Sequence, residues 1–173
     1  MLESPETFNS VVLQSIIDPG TNLFAKIENH KPKLKNPDEL NLSGKHQLMI
    51  NGDYRKIIIK DSDGIVIRNT TAESLEIVNS DVTIENSLFK NVETPVQIRD
   101  SNIILTGVYI SGKTAMLLYN SNIDMAGSTL QGKEALIESQ YSSRIVFSVT
   151  KINGPEHKGF AHKIIRLKLG ETF

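Results

Sequence analysis

The chain has 173 residues, carries 19 basic and 20 acidic side chains for a formal net charge of −1, and contains no cysteine. This length suits one domain with a core of its own, and the balanced charge argues against nucleic acid as a partner, which requires a clustered basic face. The absence of cysteine excludes disulfides, thiolate metal sites and cysteine nucleophiles.

The chain begins with MLESPETFNS, which lacks the basic and then apolar pattern of a signal peptide. No apolar run approaches the ~20 residues of a membrane span, so we predict no membrane insertion in this segment. A segment taken from a longer secreted or membrane-tethered protein would have the same features, so the pattern does not fix the compartment.

Residues 4–17 have the pattern of an amphipathic helix. Ser4 is a favourable N-cap, Pro5 suits the first helical position and Glu6 suits the first turn. One helical face then carries Phe8, Val11, Val12, Ser15 and Ile16. A membrane-facing or swapped helix is the alternative, but the apolar face lacks flanking Lys and Arg. We therefore predict a helix that caps the open end of the repeat that follows it.

Residues 22–39 predict an entry strand, NLFAKIEN, followed by a charged loop broken by prolines. Lys31, Lys33 and Lys35 in this loop are able to contact an anionic sugar or phosphate. The favoured interpretation is an ordinary solvated loop.

A polar pair then recurs between two apolar doublets. The pairs are Asp61-Ser62, Asn79-Ser80, Asp100-Ser101 and Asn120-Ser121. The doublets before them are Ile57/Ile59, Leu75/Ile77, Val96/Ile98 and Met116/Leu118, and those after them are Ile65/Ile67, Val82/Ile84, Ile103/Leu105 and Ile123/Met125. The pattern extends to Leu40/Leu42 and Leu48/Ile50 upstream, to Leu136, Ile137 and Ile145/Phe147 downstream, and to a third set of Phe89, Ile110, Leu130 and Ile152.

This spacing predicts a solenoid and not a series of hairpins. Residues two apart lie on one face of a strand, and a hairpin turn would favour Asn-Gly or Asp-Gly over these pairs. A period of about 20 residues suits one full coil, in which each strand pairs in parallel with its counterpart in the next coil. We therefore predict that Asp61, Asn79, Asp100 and Asn120 form a structural ladder of corners, because Asn and Asp tolerate the left-handed backbone of a sharp bend.

The run DVTIENSLFKNVETPVQIRDS resembles the right-handed parallel β-helix repeat of pectate lyases, alginate epimerases, phage tailspikes and many surface proteins. The resemblance covers about Leu40 to Ile152 and implies an all-β fold, a right-handed single-stranded parallel β-helix of about six coils with an N-terminal capping helix. We assign residues 1–173 to one domain, with coils at 40–155 and a C-terminal capping strand at 156–173. The alternative for this last segment is a connection to a further domain of a longer parent chain.

Enzymes of this resemblance act mostly on polysaccharides, so we searched the sequence for catalytic and metal-binding groups. The acids Asp61, Asp63, Asp81 and Asp100 lie near the corner ladder, but Asp61 and Asp100 are two coils apart, about 10 Å, too far to share one calcium ion. Glu156, His157 and His162 have a spacing that suits neither one helical face nor one strand face. His46 follows a turn, with no acid evidently arranged beside it. We expect no metal and no cofactor, and the catalytic residues are unknown.

A second set of residues is better suited to binding than to catalysis. Lys113 and Lys133 recur one coil apart in GKTA and GKEA, and Glu134 follows the second of them. Tyr109 and Tyr119 precede a core position and a corner, so their rings are predicted to point outward, where they can stack on a sugar. These four residues are the candidate ligand-binding set for an acidic polysaccharide. The competing interpretation of the lysines is a solvated turn in which Lys and Glu neutralise each other.

Three functions remain in order of preference. The first is a non-catalytic module for carbohydrate or surface binding, or for structural support, in a cell-surface or exopolysaccharide-related protein, with polysaccharide or other domains of a parent chain as partners. The second is a lyase, epimerase or hydrolase, or a fragment of one, acting on an acidic polysaccharide. The third is a self-assembly module that forms homo-oligomers end to end or laterally. An extracytoplasmic or cell-surface location is favoured.

Overall fold

A computed structural model describes residues 38–91, 96–155, 157–159 and 162–167 of the chain. All of them belong to one compact unit, Asn36–Phe173. The predicted capping helix at residues 4–17 and nearly all of the entry segment at residues 22–39 lie outside the described residues.

The described residues form fourteen β-strands. They are β1 (Glu39–Ser43), β2 (Met49–Lys60), β3 (Ile65–Val78), β4 (Asp81–Glu85), β5 (Leu88–Asn91), β6 (Val96–Arg99), β7 (Asn102–Thr106), β8 (Tyr109–Tyr119), β9 (Asn122–Ala126), β10 (Thr129–Ser139), β11 (Ser143–Ser148), β12 (Lys151–Asn153), β13 (His157–Gly159) and β14 (His162–Leu167). Every strand pairing among them is parallel.

The strands stack into three faces. The first face contains β1, β6, β13 and the C-terminal parts of β2, β3, β8 and β10. The second contains β4, β7, β9, β11, β14 and the first residues of β2 and β3. The third contains β5, β12, the middle of β2 and β3, and the start of β8 and β10. This is a parallel β-solenoid of about six turns, which confirms the predicted fold class.

The apolar doublets are the inward-facing residues of each face. On the first face Ile57 pairs with Leu75, and Ile98 pairs with both Ile77 and Leu118, so like side chains stack along the solenoid axis. The second and third faces repeat this register, with Ile103 against Ile123 on the second. The stacked residues form one continuous buried core, and burial of this apolar surface is the main force that stabilises the coils.

The first corner, between the first and second faces, has left-handed backbone in five successive coils. Gly44, Asp61, Asn79, Asp100 and Asn120 have φ values of 61°, 50°, 47°, 49° and 41°. Asn79 Nδ2 donates to Asp61 Oδ1 at 2.8 Å, and Asn120 Nδ2 donates to Asp100 Oδ1 at 2.9 Å. Because acid and amide alternate, no two carboxylates are neighbours in this ladder, and each aspartate accepts a charge-assisted hydrogen bond.

Buried serines support the first corner from within. They are Ser62, Ser80, Ser101, Ser121 and Ser143. Each hydroxyl donates to the carbonyl two residues earlier and accepts a backbone N–H from the same corner position of the preceding coil. That donor is Lys45 for Ser62 and the preceding serine for the others, as in the 3.1 Å bond from Ser80 N to Ser101 Oγ. The corner therefore hides few unpaired polar groups despite its burial.

A second corner ladder, between the second and third faces, is a feature that the sequence analysis missed. Its left-handed positions are Asn69, Asn86, Gly107, Gly127 and Val149. The hydroxyls of Thr70, Ser87, Ser128 and Thr150 follow them and bond the carbonyl two residues earlier. Val108 occupies the same place in one coil and interrupts the ladder. The signal for it was a second spacing of about 20 residues between small polar side chains.

The structure differs from the sequence analysis at the C-terminal end. Two short strands, β13 and β14, occupy the segment for which one capping strand was predicted, and they continue the first and second faces. In the coil before them, the register of β10 against β8 shifts between Gly132 and Ala135. A Cβ at Gly132 would lie 2.0 Å from the carbonyl oxygen of Ala135, so this bulge requires glycine.

Candidate functional site

Three of the four predicted ligand-binding residues line one groove on the third face. Tyr109, Lys113 and Lys133 lie there together with Lys90, Ser111, Gly112 and Gln131, around a cavity of about 200 Å³. We call this set of seven residues the lysine groove. Lys90 was not predicted, because its strand position differs from that of the two recurring lysines.

Parallel pairing determines where each side chain of the lysine groove lies. Lys90, Ser111 and Gln131 occupy equivalent positions in β5, β8 and β10. The next position of the three strands holds Asn91, Gly112 and Gly132. Lys113 and Lys133 come directly after these glycines in successive coils, at the bulge where Lys133 and Glu134 together lie opposite Lys113. The groove thus presents ammonium groups from three successive coils.

The lysine groove has more positive than negative charge. Lys113 Nζ lies 3.2 Å from Glu134 Oε1, with the lysine side chain 60% exposed. Within the described part of the chain, neither Lys90 nor Lys133 forms an ion pair. Tyr109 Oη donates to Gln131 Oε1 at 2.7 Å, which fixes the orientation of the ring at the groove wall. An anion with hydroxyl groups can therefore meet ammonium, amide and aromatic groups together.

Tyr119, the fourth predicted residue, lies on the first face and not in the lysine groove. Its ring packs under the guanidinium of Arg99, whose Cζ is 4.5 Å from the ring centroid, and against Tyr141 at a centroid distance of 5.7 Å and an angle of 41°. Its hydroxyl donates to Gln140 Oε1. The sequence analysis did not associate Tyr141 with Tyr119, because a longer turn displaces Tyr141 from the regular spacing. It also missed Arg99, although Arg99 pairs with Tyr119 in register and the repeat could have indicated it.

Two adjoining grooves share Arg99 and Tyr119. The one on the first face holds about 260 Å³ and reaches Lys60, Glu76 and Gln97. The one at the first corner holds about 640 Å³ and reaches Asp100, Asn120, Gln140, Tyr141 and Ser142. We call the combined lining the arginine–tyrosine groove.

The structure corrects the sequence analysis at His46. That residue was described as having no acid beside it, yet the carboxylate of Asp63 in the next coil contacts its Nδ1. The two side chains are 72% and 59% exposed, so this is a solvated pair of small energetic value.

The acids and histidines do not converge within the described residues. No group of three or more His, Asp or Glu side chains there has an arrangement able to hold a metal ion. The backbones of His157 and His162 lie on different faces of the solenoid, in β13 and β14. In the same part of the chain, no helix has the length and apolar character needed to cross a membrane.

Comparison with known proteins identifies no relative of this chain. No protein-family model, no curated protein and no solved structure matches it. The parallel β-solenoid is therefore established by the strand pairings themselves, while a relationship to pectate-lyase-like proteins stays a prediction.

Proposed function

We propose that this chain is a non-catalytic β-solenoid module that binds an acidic polysaccharide in the lysine groove, in the context of a cell surface or an exopolysaccharide. The observation that carries the proposal is the convergence of three lysines and an oriented tyrosine on one groove, where Glu134 is the one carboxylate paired with a groove lysine among the described residues. Ammonium groups recognise the carboxylates of a uronic-acid polymer, and a tyrosine ring offers an apolar surface to a pyranose.

The exposure of the lysines determines how such binding would work. An exposed ion pair is worth about 0.2–1 kcal/mol, so one sugar residue would bind weakly. A polymer that meets lysines on successive coils gains from effective concentration, because each contact after the first is intramolecular. The proposed module is therefore selective for long acidic chains over single sugars, and its affinity falls as salt screens the charges.

Isothermal titration calorimetry with polygalacturonate and alginate tests the proposal, with a neutral glucan as the comparison ligand. Lys133→Gln should weaken binding of an acidic oligosaccharide by about two- to fivefold. Lys45→Gln is the matched control, since Lys45 is an exposed lysine in the first corner, far from the groove. Equal losses in both variants would show only a general charge effect and would refute the site.

A variant expected to strengthen binding complements this test. Glu134→Gln removes the carboxylate that competes for Lys113 and repels an anionic ligand, so we expect tighter binding of the same oligosaccharide. Weaker or unchanged binding would contradict the electrostatic argument.

A polysaccharide lyase acting in this groove is the second candidate, since Tyr109 and Lys113 are side chains that can serve as a base and as a charge neutraliser for a uronate. A lyase produces an unsaturated product that absorbs in the ultraviolet. Turnover of polygalacturonate or alginate by the purified chain would replace the non-catalytic proposal with this one.

A further inference from the structure

We propose that the arginine–tyrosine groove is a second binding site, and that its ligand is a neutral pyranose unit of a polysaccharide. The site lies on the first face and first corner, whereas the lysine groove lies on the third face. It is argued from different residues, so it does not rest on the proposed function.

The first observation is the exposed ring of Tyr141. Five earlier coils make the first corner with a single left-handed residue, but this coil uses the longer turn Gln140-Tyr141-Ser142. The turn places a tyrosine at the surface with 63% of its area exposed. The solenoid itself does not need this ring, because the shorter corner closes each of the five earlier coils that the structure describes.

The second observation is that the core is altered to hold this turn in place. Ser139 pairs with Leu118 in register, so a serine occupies the stack that holds leucine or isoleucine in the earlier coils. Its side chain is 0% exposed, and its hydroxyl donates to the carbonyl of Tyr141 at 2.8 Å. Burying a hydroxyl in an apolar stack is unfavourable without such a bond. The serine in place of an apolar residue therefore fixes the position of Tyr141, as a preorganised contact requires.

The third observation is the balanced charge of the groove. Within the lining, Lys60 Nζ lies 3.3 Å from Glu76, which also pairs at 3.8 Å with Lys56 outside the lining. Arg99 and Asp100 contribute one charge of each sign. Unlike the lysine groove, this lining gives no net attraction to an anion.

The polar groups of the groove match hydroxyls. The guanidinium of Arg99 lies over the ring of Tyr119. It forms no ion pair with any of the described residues, and its N–H groups are planar donors. Asp100 accepts a bond from the amide of Asn120 and has further acceptor capacity, while Gln140 offers an amide. Fixed planar donors and acceptors beside an exposed ring are suited to a pyranose, which has hydroxyls at its edge and C–H groups on its face.

The experiment is saturation-transfer NMR and calorimetry with a panel of neutral oligosaccharides: maltohexaose, cellohexaose, laminarihexaose and mannohexaose. We expect at least one to bind, with an affinity that changes less than about twofold between about 50 and 500 mM NaCl, because no net charge is neutralised. Tyr141→Ala should weaken it by at least about tenfold, whereas Tyr141→Phe should retain the binding.

Controls separate this site from the lysine groove and from loss of exposed apolar area. Ile104→Ala removes an exposed apolar side chain on the second face and should leave the neutral sugar bound. Lys133→Gln should also leave it bound, whatever that variant does to acidic ligands. The proposal is overturned if no member of the panel binds, if Tyr141→Ala binds as the parent does, or if Tyr141→Ala changes the oligomeric state measured by light scattering, which would identify the groove as a contact between copies.

Discussion

Removing one hydroxyl from the buried serine ladder tests the energetics of the coil corner most directly. Ser101 Oγ accepts the backbone N–H of Ser80 at 3.1 Å and donates to the carbonyl of Arg99 at 2.6 Å. That carbonyl also accepts the N–H of Asn79 at 2.9 Å, so it keeps a partner in Ser101→Ala. The N–H of Ser80 loses its acceptor inside the protein.

The expected loss follows from that single unsatisfied group. A buried donor without a partner costs about 1–3 kcal/mol, so we expect the free energy of unfolding to fall by about 2 kcal/mol. For a chain of this size, that corresponds to a decrease in Tm of about 4–8 °C. Against a total stability of about 5–15 kcal/mol, the variant should still fold.

Urea denaturation followed by circular dichroism measures this loss, with Ser142→Ala as the matched control. Ser142 is an exposed serine in the same corner region, and its substitution should change the unfolding free energy by less than about 0.5 kcal/mol. If Ser101→Ala unfolds at the same urea concentration as Ser142→Ala, the ladder contributes no net stability and the reasoning is wrong.

Three further predictions concern the core, the second corner and the pH dependence. Ile103→Asp places an unpaired charge at a side chain that is 2% exposed and should unfold several coils, with a loss of more than about 4 kcal/mol in the free energy of unfolding. Ile104→Asp, at its outward neighbour, should melt like the parent, and equal melting of both variants would show that the register is wrong. Val108→Thr keeps a branched side chain and gives the N–H of Ser87 a hydroxyl acceptor, so it should raise stability by about 0.5–1.5 kcal/mol, and a lower midpoint in urea would contradict this. Burial raises the pKa of Tyr54 above its ordinary value of 10.0, so the folded state holds the phenol proton more tightly than the unfolded state does. The resulting stability is present below about pH 10 and is lost as pH rises through the folded pKa. Tyr54→Phe should therefore show a shallower fall in unfolding free energy above about pH 10.

The sequence was sufficient to predict the solenoid because its information is local and repeated. Each doublet specifies one strand face through the period of two, and the recurrence specifies which strands pair. The pairing of Val82 with Ile103, and of Ile103 with Ile123, has the predicted register. Even small irregularities in coil length did not disturb this result, since each doublet resets the register.

The same logic failed where the chain departs from regular spacing. Leu136 and Ile137 continue the apolar pattern, and both are buried in the core as predicted. The bulge after Gly132 nevertheless changes the alternation, so Ile137 and Ser139 occupy the stacked positions. A buried serine at the place of an apolar residue has no signature in the pattern of doublets. Its meaning depends on the Tyr141 carbonyl above it, a contact that exists only after the turn is folded.

The binding grooves were predictable only where their residues repeat at one coil length. Lys113 and Lys133 could be associated because they repeat at one coil length, and the third face brings them together with Tyr109. Lys90 enters the same groove from a different strand position, so side-chain reach and not sequence period decides that contact. Arg99 pairs with Tyr119 in register one coil away, so the repeat itself carried the signal for this contact.

The alternation of acid and amide in the first corner limits how this chain can lengthen. Duplication of a coil that carries aspartate would place two carboxylates side by side at about 4.8 Å, where they repel each other. Duplication of a coil that carries asparagine would place two amides side by side, an arrangement that Asn102 and Asn122 already form with a 2.9 Å bond from Nδ2 to Oδ1. The corner therefore tolerates added coils that carry asparagine better than added coils that carry aspartate.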